Sequence, residues 1–359
     1  MKHPLEKIDN ALINSGFQPL KDGSEVSYLG EGAWHDAYLL TLRSNEKFVL
    51  RFPKVISVYG DKVEFCEKTV HAEYGGTKKY YELANKVRSG VCPEFFTYHA
   101  EENNTYTLET YKGSTVDLSS LTNEDAFDLG FQTGELFRGM HELDHGLQGF
   151  GYLSWNGSEI EGQLKTDVST SMEEENDELI SDYEALCNWD KRFKENGLQE
   201  KHLECLKERT IDARTVAFTN QDCSPENLLF NSGKLAVIDP LPILYDGNSL
   251  AGNVMNCYEA IFPTFYNTKR YEKHRFHQYN IELNQVADGF LEGYSGGSID
   301  IKRAVRKEQF LKLANLCFDH YQLISGELSK SMEIRFGTKD EMVERLPALI
   351  KMLKNIDIS

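Results

Sequence analysis

FTNQDCSPENLLFNSGKLAVIDP, residues Phe218 to Pro240, sets two acids and an amide, Asp222, Asn227 and Asp239, around a turn. The runs LLF and LAVI read as strands. Between them Asn231-Ser232-Gly233-Lys234 offers a glycine for positive φ, which predicts a hairpin. Paired about Gly233, Leu229 faces Val237 and Asn227 faces Asp239; a two-residue turn would shift the register by one and keep the last two as near neighbours. Facing residues of an antiparallel pair have Cα atoms roughly 4.5–5.5 Å apart. An amide oxygen and a carboxylate at that separation can share a hard cation such as Mg²⁺, which takes oxygen ligands and keeps positions for water and phosphate. Asp222 closes the preceding strand, where it can take a proton from a hydroxyl arriving at the same place. Single Asn and Asp residues beside turns commonly bond their own backbone. The joint spacing Asp-x4-Asn-x11-Asp around a hairpin is much more specific.

The chain has 359 residues, 40% hydrophobic and 27% charged, enough for one large domain or two lobes around a cleft. No apolar stretch approaches the roughly 20 residues of a membrane span. The N-terminal MKHPLEKIDNALINSG lacks the apolar core of a secretory signal, so a cytoplasmic location is expected. Cys66, Cys92, Cys187, Cys205, Cys223, Cys257 and Cys317 form no CxxC pair, which suggests neither a zinc knuckle nor a disulfide framework. The formal net charge is −18, and no run of basic residues stands out. Nucleic acid and anionic membrane are therefore not expected partners. An acidic field suits a cationic ligand, although many soluble proteins are acidic for solubility alone.

Along the first hundred residues, VSYLG, DAYLLTLR and KFVLRFP read as three strands joined at Gly30-Glu31-Gly32 and Ser44-Asn45-Glu46. A helix through Glu73 follows, then strands at FFTYHA and TYTLETY. The character changes after Gly113. Thr122, with Asp125 three positions on, predicts a capped helix start, and Phe127, Phe131, Gly134, Phe137 and Met140 recur at helical spacing. From about Ser158 to Arg209 the chain is polar and helix-rich, strand signal returns at TVAFTN, and from Leu250 onward aromatic-faced helices dominate. The reading is α+β: a small antiparallel β-sheet lobe over residues 1–110 and a larger, mainly helical lobe over 111–359.

Asn220-Gln221-Asp222-Cys223-Ser224-Pro225-Glu226-Asn227-Leu228, followed by Val237-Ile238-Asp239, resembles the catalytic and metal-binding motifs of the aminoglycoside phosphotransferase and choline kinase superfamily. That family's pattern is roughly His-Gly-Asp-x-His-Pro-x-Asn-hydrophobic, then hydrophobic-Ile-Asp. The resemblance implies a protein-kinase-like two-lobe fold with Asp222 as catalytic base and Asn227 and Asp239 as metal ligands. Asn220 stands where the family usually has His, a position that mainly supports the loop.

The same resemblance extends over roughly residues 25–295. Gly30 and Gly32 would bring backbone amides to nucleotide phosphates, although the third glycine of the protein-kinase pattern is absent and Gly-x-Gly is often only a turn. By strand alternation Phe48, Leu50 and Phe52 point one way and Val49 and Arg51 the other. The resemblance puts Arg51 at the position of the kinase lysine, and Glu73 is expected to hold it in a bidentate pair. The backbone at Glu109 to Tyr111 would bond the nucleotide base. GELFRGMHELD resembles the helix before the catalytic loop, with His141 expected to pack rather than react; FLEGY, from Phe290 to Tyr294, resembles a family helix ending.

Together these readings imply an Mg²⁺-dependent kinase moving the γ-phosphoryl of ATP or GTP to a hydroxyl of a small molecule. Between Glu161 and Glu184 nine acids face one base, Lys165, so Asp177, Glu178 and Asp182 are candidate contacts for a polycationic acceptor. Charge runs of this kind are usually solvated helix faces. An aminoglycoside-type antibiotic is the leading acceptor; a metabolite alcohol such as choline, homoserine or a sugar is the alternative. A catalytically silent nucleotide-binding protein is the third reading. No segment resembles the protein-kinase activation loop.

Overall fold

The protein is described by a computed structural model covering residues 5–20, 23–207, 209–211 and 215–359. Helix α1 (Leu5–Asn14) was not expected from the sequence. Its Ile8, Ala11 and Leu12, at helical spacing, bury against the first sheet. That sheet contains the expected strands β1 (Glu25–Glu31), β2 (His35–Thr41) and β3 (Lys47–Pro53). Helix α2 (Glu67–Val87) intervenes before β4 (Phe96–His99) and β5 (Tyr106–Thr110), and the antiparallel order is β1-β2-β3-β5-β4. Phe48, Leu50 and Phe52 turn into a core with Tyr38, Leu40, Tyr106 and Leu108 beneath α1. Alternation therefore leaves Val49, Arg51, Thr107 and Glu109 on the opposite face.

Helix α3 (Asn123–Glu142) begins at the expected capping box, with Thr122 and Asp125 satisfying each other's backbone N–H groups. Next comes a hairpin, β6 (Phe150–Trp155) and β7 (Ile160–Leu164), where the sequence was read as polar and helical from about Ser158. Its alternation is obscured by glycine: a Cβ on Gly162 would lie 2.2 Å from the Phe150 nitrogen, so the strand gives up a side chain for close backbone approach. Helices α4 (Val168–Trp189) and α5 (Leu198–Leu206) fill the rest of that stretch. Then follow β8 (Val216–Asn220), the hairpin β9 (Leu228–Asn231) and β10 (Lys234–Val237), and β11 (Pro242–Asp246); β11 joins β8 and the earlier hairpin in the order β7-β6-β11-β8.

The remainder is helical. Helix α6 (Gly247–Asn256) runs through a π turn at Cys257–Ile261 into α7 (Phe262–Thr264). After it come α8 (Asn280–Ser295), α9 (Ile299–Ser325), α10 (Lys330–Phe336) and α11 (Lys339–Asn355). Helices α3 and α8 meet at backbone distance through Gly130 and Gly134 on one and Gly289 and Gly293 on the other. A Cβ at any of the four would fall 2.0–2.2 Å from a carbonyl oxygen of the partner helix. This crossing fixes α3 under β8, where His141 bonds Tyr294 of α8 through Nδ1 at 3.0 Å and Thr219 of β8 through Nε2 at 2.7 Å. Burial pushes the His141 ring down to about 3, so it is a neutral packing residue, as expected. Among the described residues no helix is long and apolar enough to cross a membrane.

Candidate active site

The segment after β8 is held by Asn220, which is fully buried. Its Oδ1 accepts from the N–H groups of Asp222 at 3.0 Å and Leu241 at 2.8 Å, and its Nδ2 donates to the Asp222 carbonyl at 3.0 Å and the Cys223 sulfur at 3.5 Å. One amide thus satisfies both sides of the loop and ties it to the chain just beyond Asp239, which is the supporting work expected of this position. The Asp222 carboxylate accepts from the Ser224 N–H at 3.1 Å. Burial raises its pKa against that hydrogen bond, so it is an acid of increased proton affinity.

The hairpin pairs Leu229 with Ala236 and Leu228 with Val237, not Leu229 with Val237. The turn has two residues, Ser232 and Gly233, both at positive φ (51° and 73°), the type I′ geometry that matches strand twist. The register is therefore the shifted one, and Asn227 lies opposite Ile238, whose N–H donates to the Asn227 carbonyl at 3.0 Å. Asn227 still reaches its expected neighbour: Nδ2 donates to the Asp239 carbonyl at 3.3 Å, leaving the amide oxygen as a possible ligand. Asp239 sits at φ 48°, an uncommon left-handed conformation for a non-glycine residue, with its side chain exposed. An amide oxygen beside an exposed carboxylate is a hard-oxygen donor set that suits Mg²⁺. No group of three or more His, Cys, Asp or Glu side chains forms a metal cage among the described residues.

Arg51 does not pair with Glu73. Its Nη1 lies 2.6 Å from Glu109 Oε1, and the Glu109 side chain is only 1% exposed. The two are diagonal neighbours on one face of β3 and β5, since Glu109 faces Val49 and Arg51 faces Thr107. On α2 it is Tyr74 and Tyr81, seven residues apart, that turn inward; Glu73 is rotated by about 100° and stays exposed. The Tyr81 hydroxyl donates to Glu109 Oε2 at 3.1 Å and accepts from the Asp239 N–H at 3.0 Å. Arg51, Glu109, Tyr81 and Asp239 form one connected chain. Burial raises the Glu109 pKa against the pull of Arg51, while Arg51, despite burial, is held firmly protonated by Glu109 and Asp239. The guanidinium is too strong a base to give up its proton here.

Gly30 has φ 141°, and a Cβ there would meet nothing within 4 Å, which leaves the loop face open to a ligand. The Gly32 N–H is used within the loop, donating to the His35 carbonyl at 2.8 Å. His35, three positions after Gly32, was not anticipated. Its Nε2 bonds the Tyr74 hydroxyl at 2.7 Å, and burial lowers its pKa against the attraction of Asp239. The signal available was its place in Gly-Glu-Gly-Ala-Trp-His, where the third glycine would stand. At the end of β5, the N–H groups of Thr110 and Tyr111 already donate to Phe95 and Lys47. A base docking there would use carbonyls or donors from Lys112 onward.

The acids of α4 occupy several different environments. Glu175 is bound to Arg209 and to the Tyr245 hydroxyl, within a buried cluster completed by Glu308 and Asn176. Asp177 and Glu178 are exposed, and Asp182 is half-buried, its pKa raised by burial and by neighbouring Glu178. The helix face is occupied by fold-building contacts on one side and water on the other.

No protein-family model matches the chain, and no curated protein matches it. Solved structures do. Aminoglycoside phosphotransferase APH(4)-Ia aligns with a TM-score of 0.54 at 14% identity, covering 97% of this chain and 99% of that one. A thermostable mutant of that enzyme, in a ternary complex with ADP and hygromycin B, aligns at 0.53 and 14% identity over 98% and 99% of the two chains. A further ternary complex, with AMP-PNP and hygromycin B, aligns at 0.52 and 16% over 96% and 98%. At such identities the likeness is one of fold.

Proposed function

From this premise, the protein-kinase-like fold of the aminoglycoside phosphotransferase and choline kinase superfamily, we propose that the chain transfers the γ-phosphoryl group of ATP or GTP to a hydroxyl of a small molecule. The observation carrying this reading is the Asn220-stapled loop, which presents Asp222 next to the Asn227–Asp239 pair while Tyr81 ties Asp239 to the Arg51–Glu109 ion pair. Neighbours crystallised with ADP and AMP-PNP support a nucleotide in the cleft. Gly30 opens the phosphate side, and Arg51, preorganised by Glu109, offsets phosphate charge. Asn227 and Asp239 would hold Mg²⁺, which supplies positive charge beside the phosphate oxygens. Asp222 orients the acceptor hydroxyl and accepts its proton, and its raised proton affinity favours that transfer. The remaining acceleration comes from alignment of the two substrates.

The neighbours' bound hygromycin B supports an aminoglycoside as the first acceptor to test. The α4 acids Asp177 and Glu178, both exposed, and half-buried Asp182 remain proposed contacts for its ammonium groups. Nucleotide turnover with and without acceptors, in wild type and Asp222→Asn, tests the reaction itself. Loss of roughly 10²–10⁴-fold with an unchanged melting temperature is expected. Equal turnover in the two proteins removes Asp222 from the chemistry, and no turnover in either favours a silent nucleotide-binding protein.

A further inference from the structure

In a chain of net charge −18, positive charge gathered beside the catalytic loop is informative. Residues 268–277, between α7 and α8, read Thr-Lys-Arg-Tyr-Glu-Lys-His-Arg-Phe-His, with four Lys or Arg against one acid. The sequence reading passed over this cluster because tyrosine, glutamate and histidine interrupt it. The segment is anchored: Tyr271 and Phe276 are buried, and the Arg270 N–H donates to the Ile334 carbonyl at 3.2 Å. It faces the catalytic loop. Lys273 Nζ and His274 Nε2 lie 3.7 and 3.1 Å from Glu226 Oε1, four residues after Asp222. The Arg270 guanidinium is near enough to favour the charged form of Asp222 against its burial.

A second cation approaches from α10. The Arg335 guanidinium stacks 4.3 Å from the ring centroid of Tyr59, and Tyr59 is also among the groups that act on Arg270. The same helix touches the Tyr59 segment again where the Ser331 hydroxyl donates to Asp61 at 3.3 Å. Among the described residues neither Arg270 nor Arg335 has an ion pair, whereas Arg209 is saturated by Glu308, Glu175 and Asn176. Arg335 Nε is buried without a hydrogen-bond partner, and so is Nε2 of Gln221, the residue before Asp222. Buried donors left unpaired are destabilising, a cost that a bound acceptor group removes. This charge is separate from that of Arg51, which acts on Glu109, Tyr81 and His35.

We propose that Arg270 and Arg335, with Tyr59 between them, form an anion-binding side of the acceptor site, so that the hydroxyl substrate carries a carboxylate or a phosphate and not several ammonium groups. The inference rests on the phosphotransfer reading and sets an anionic acceptor against the aminoglycoside named first. Arginine's planar fork suits both anions, and the ring of Tyr59 holds one guanidinium in place.

The test is a calorimetric titration of the full chain with AMP-PNP and Mg²⁺ present, using glycerate, glycerol 3-phosphate, glycerol and kanamycin as probes. At least one anionic probe should bind ten times more tightly than glycerol and kanamycin, and Arg270→Gln and Arg335→Gln should each weaken it roughly 10- to 100-fold. The tighter of the two anions identifies the group recognised. Anions that bind no better than glycerol, tighter binding of kanamycin, or anion binding that survives both substitutions overturns the proposal. AMP-PNP affinity in the same titrations reports whether the cleft is intact. Failure of the kinase reading would show separately, as absent nucleotide binding or equal turnover in wild type and Asp222→Asn.

Discussion

The backbone N–H of Asp239 donates to the hydroxyl of Tyr81 at 3.0 Å, so a side chain of α2 holds the residue at φ 48° that carries the exposed carboxylate. Tyr81→Phe removes this acceptor and leaves the N–H without its partner. Stability should fall by about 1–2 kcal/mol, and the Mg²⁺ concentration for half-maximal turnover should rise several-fold as Asp239 loosens. A magnesium titration at saturating nucleotide checks it; unchanged magnesium dependence would mean that Tyr81 only packs.

Glu109 is the buried partner of Arg51. Glu109→Gln strands a guanidinium that cannot discharge, and such single truncations cost about 3–5 kcal/mol. The expected result is a lower denaturant midpoint and weaker nucleotide binding. By contrast Glu73→Gln should change neither, since Glu73 has no part in the pair. If Glu73→Gln weakens nucleotide binding and Glu109→Gln does not, the assignment of partners is wrong.

Burial raises the pKa of Asp222, so the base loses activity by protonation at a higher pH than an ordinary aspartate would. The acidic limb of kcat/KM should therefore fall above the usual aspartate range. A limb lying within that range contradicts the enclosed carboxyl.

Asp319 is pushed up to about 6 by burial and by Asp182. Below pH 4 it is protonated folded or unfolded and contributes nothing. Between there and about 6 the unfolded chain loses the proton first, so stability falls as pH rises, and above 6 the full cost of about 3 kcal/mol is present. Asp319→Asn should raise the melting temperature at pH 7.5 and leave it unchanged near pH 3.5. A gain of equal size at both values would point to packing, not charge.

At Gly134 a Cβ would lie 2.2 Å from the Phe290 carbonyl and 2.5 Å from the Tyr294 nitrogen, both backbone atoms of α8. Gly134→Ala must separate the helices and should cost about 1–3 kcal/mol or more in chemical denaturation, despite alanine's better helix propensity. A stabilised variant would show that the crossing is looser than described.

Whatever depends on short spacing was legible in the chain before it folded. Asp222, Asn227 and Asp239 are joined through one turn, so neighbours a few residues apart were brought together whichever register won. Strand alternation in KFVLRFP likewise sent Phe48, Leu50 and Phe52 to the core and Arg51 to the other face. The capping box at Thr122 and the packed role of His141 are local in the same sense.

The partners of these side chains were set by long-range packing. Arg51 had carboxylates on α2 and on β5 within reach of argument, and strand order together with helix rotation chose Glu109 over Glu73. Tyr81 and Tyr74 entered the site because α2 turns that face inward, a rotation no periodicity specifies to within one residue, and Tyr74 there meets His35 of β2. The α7–α8 segment meets α10 where the Arg270 N–H donates to Ile334, and Arg335 of α10 reaches Tyr59, only because distant segments fold against one another. Side-chain direction follows from local geometry, but which charge lies opposite depends on how separate elements share a limited buried volume, and that is settled by packing.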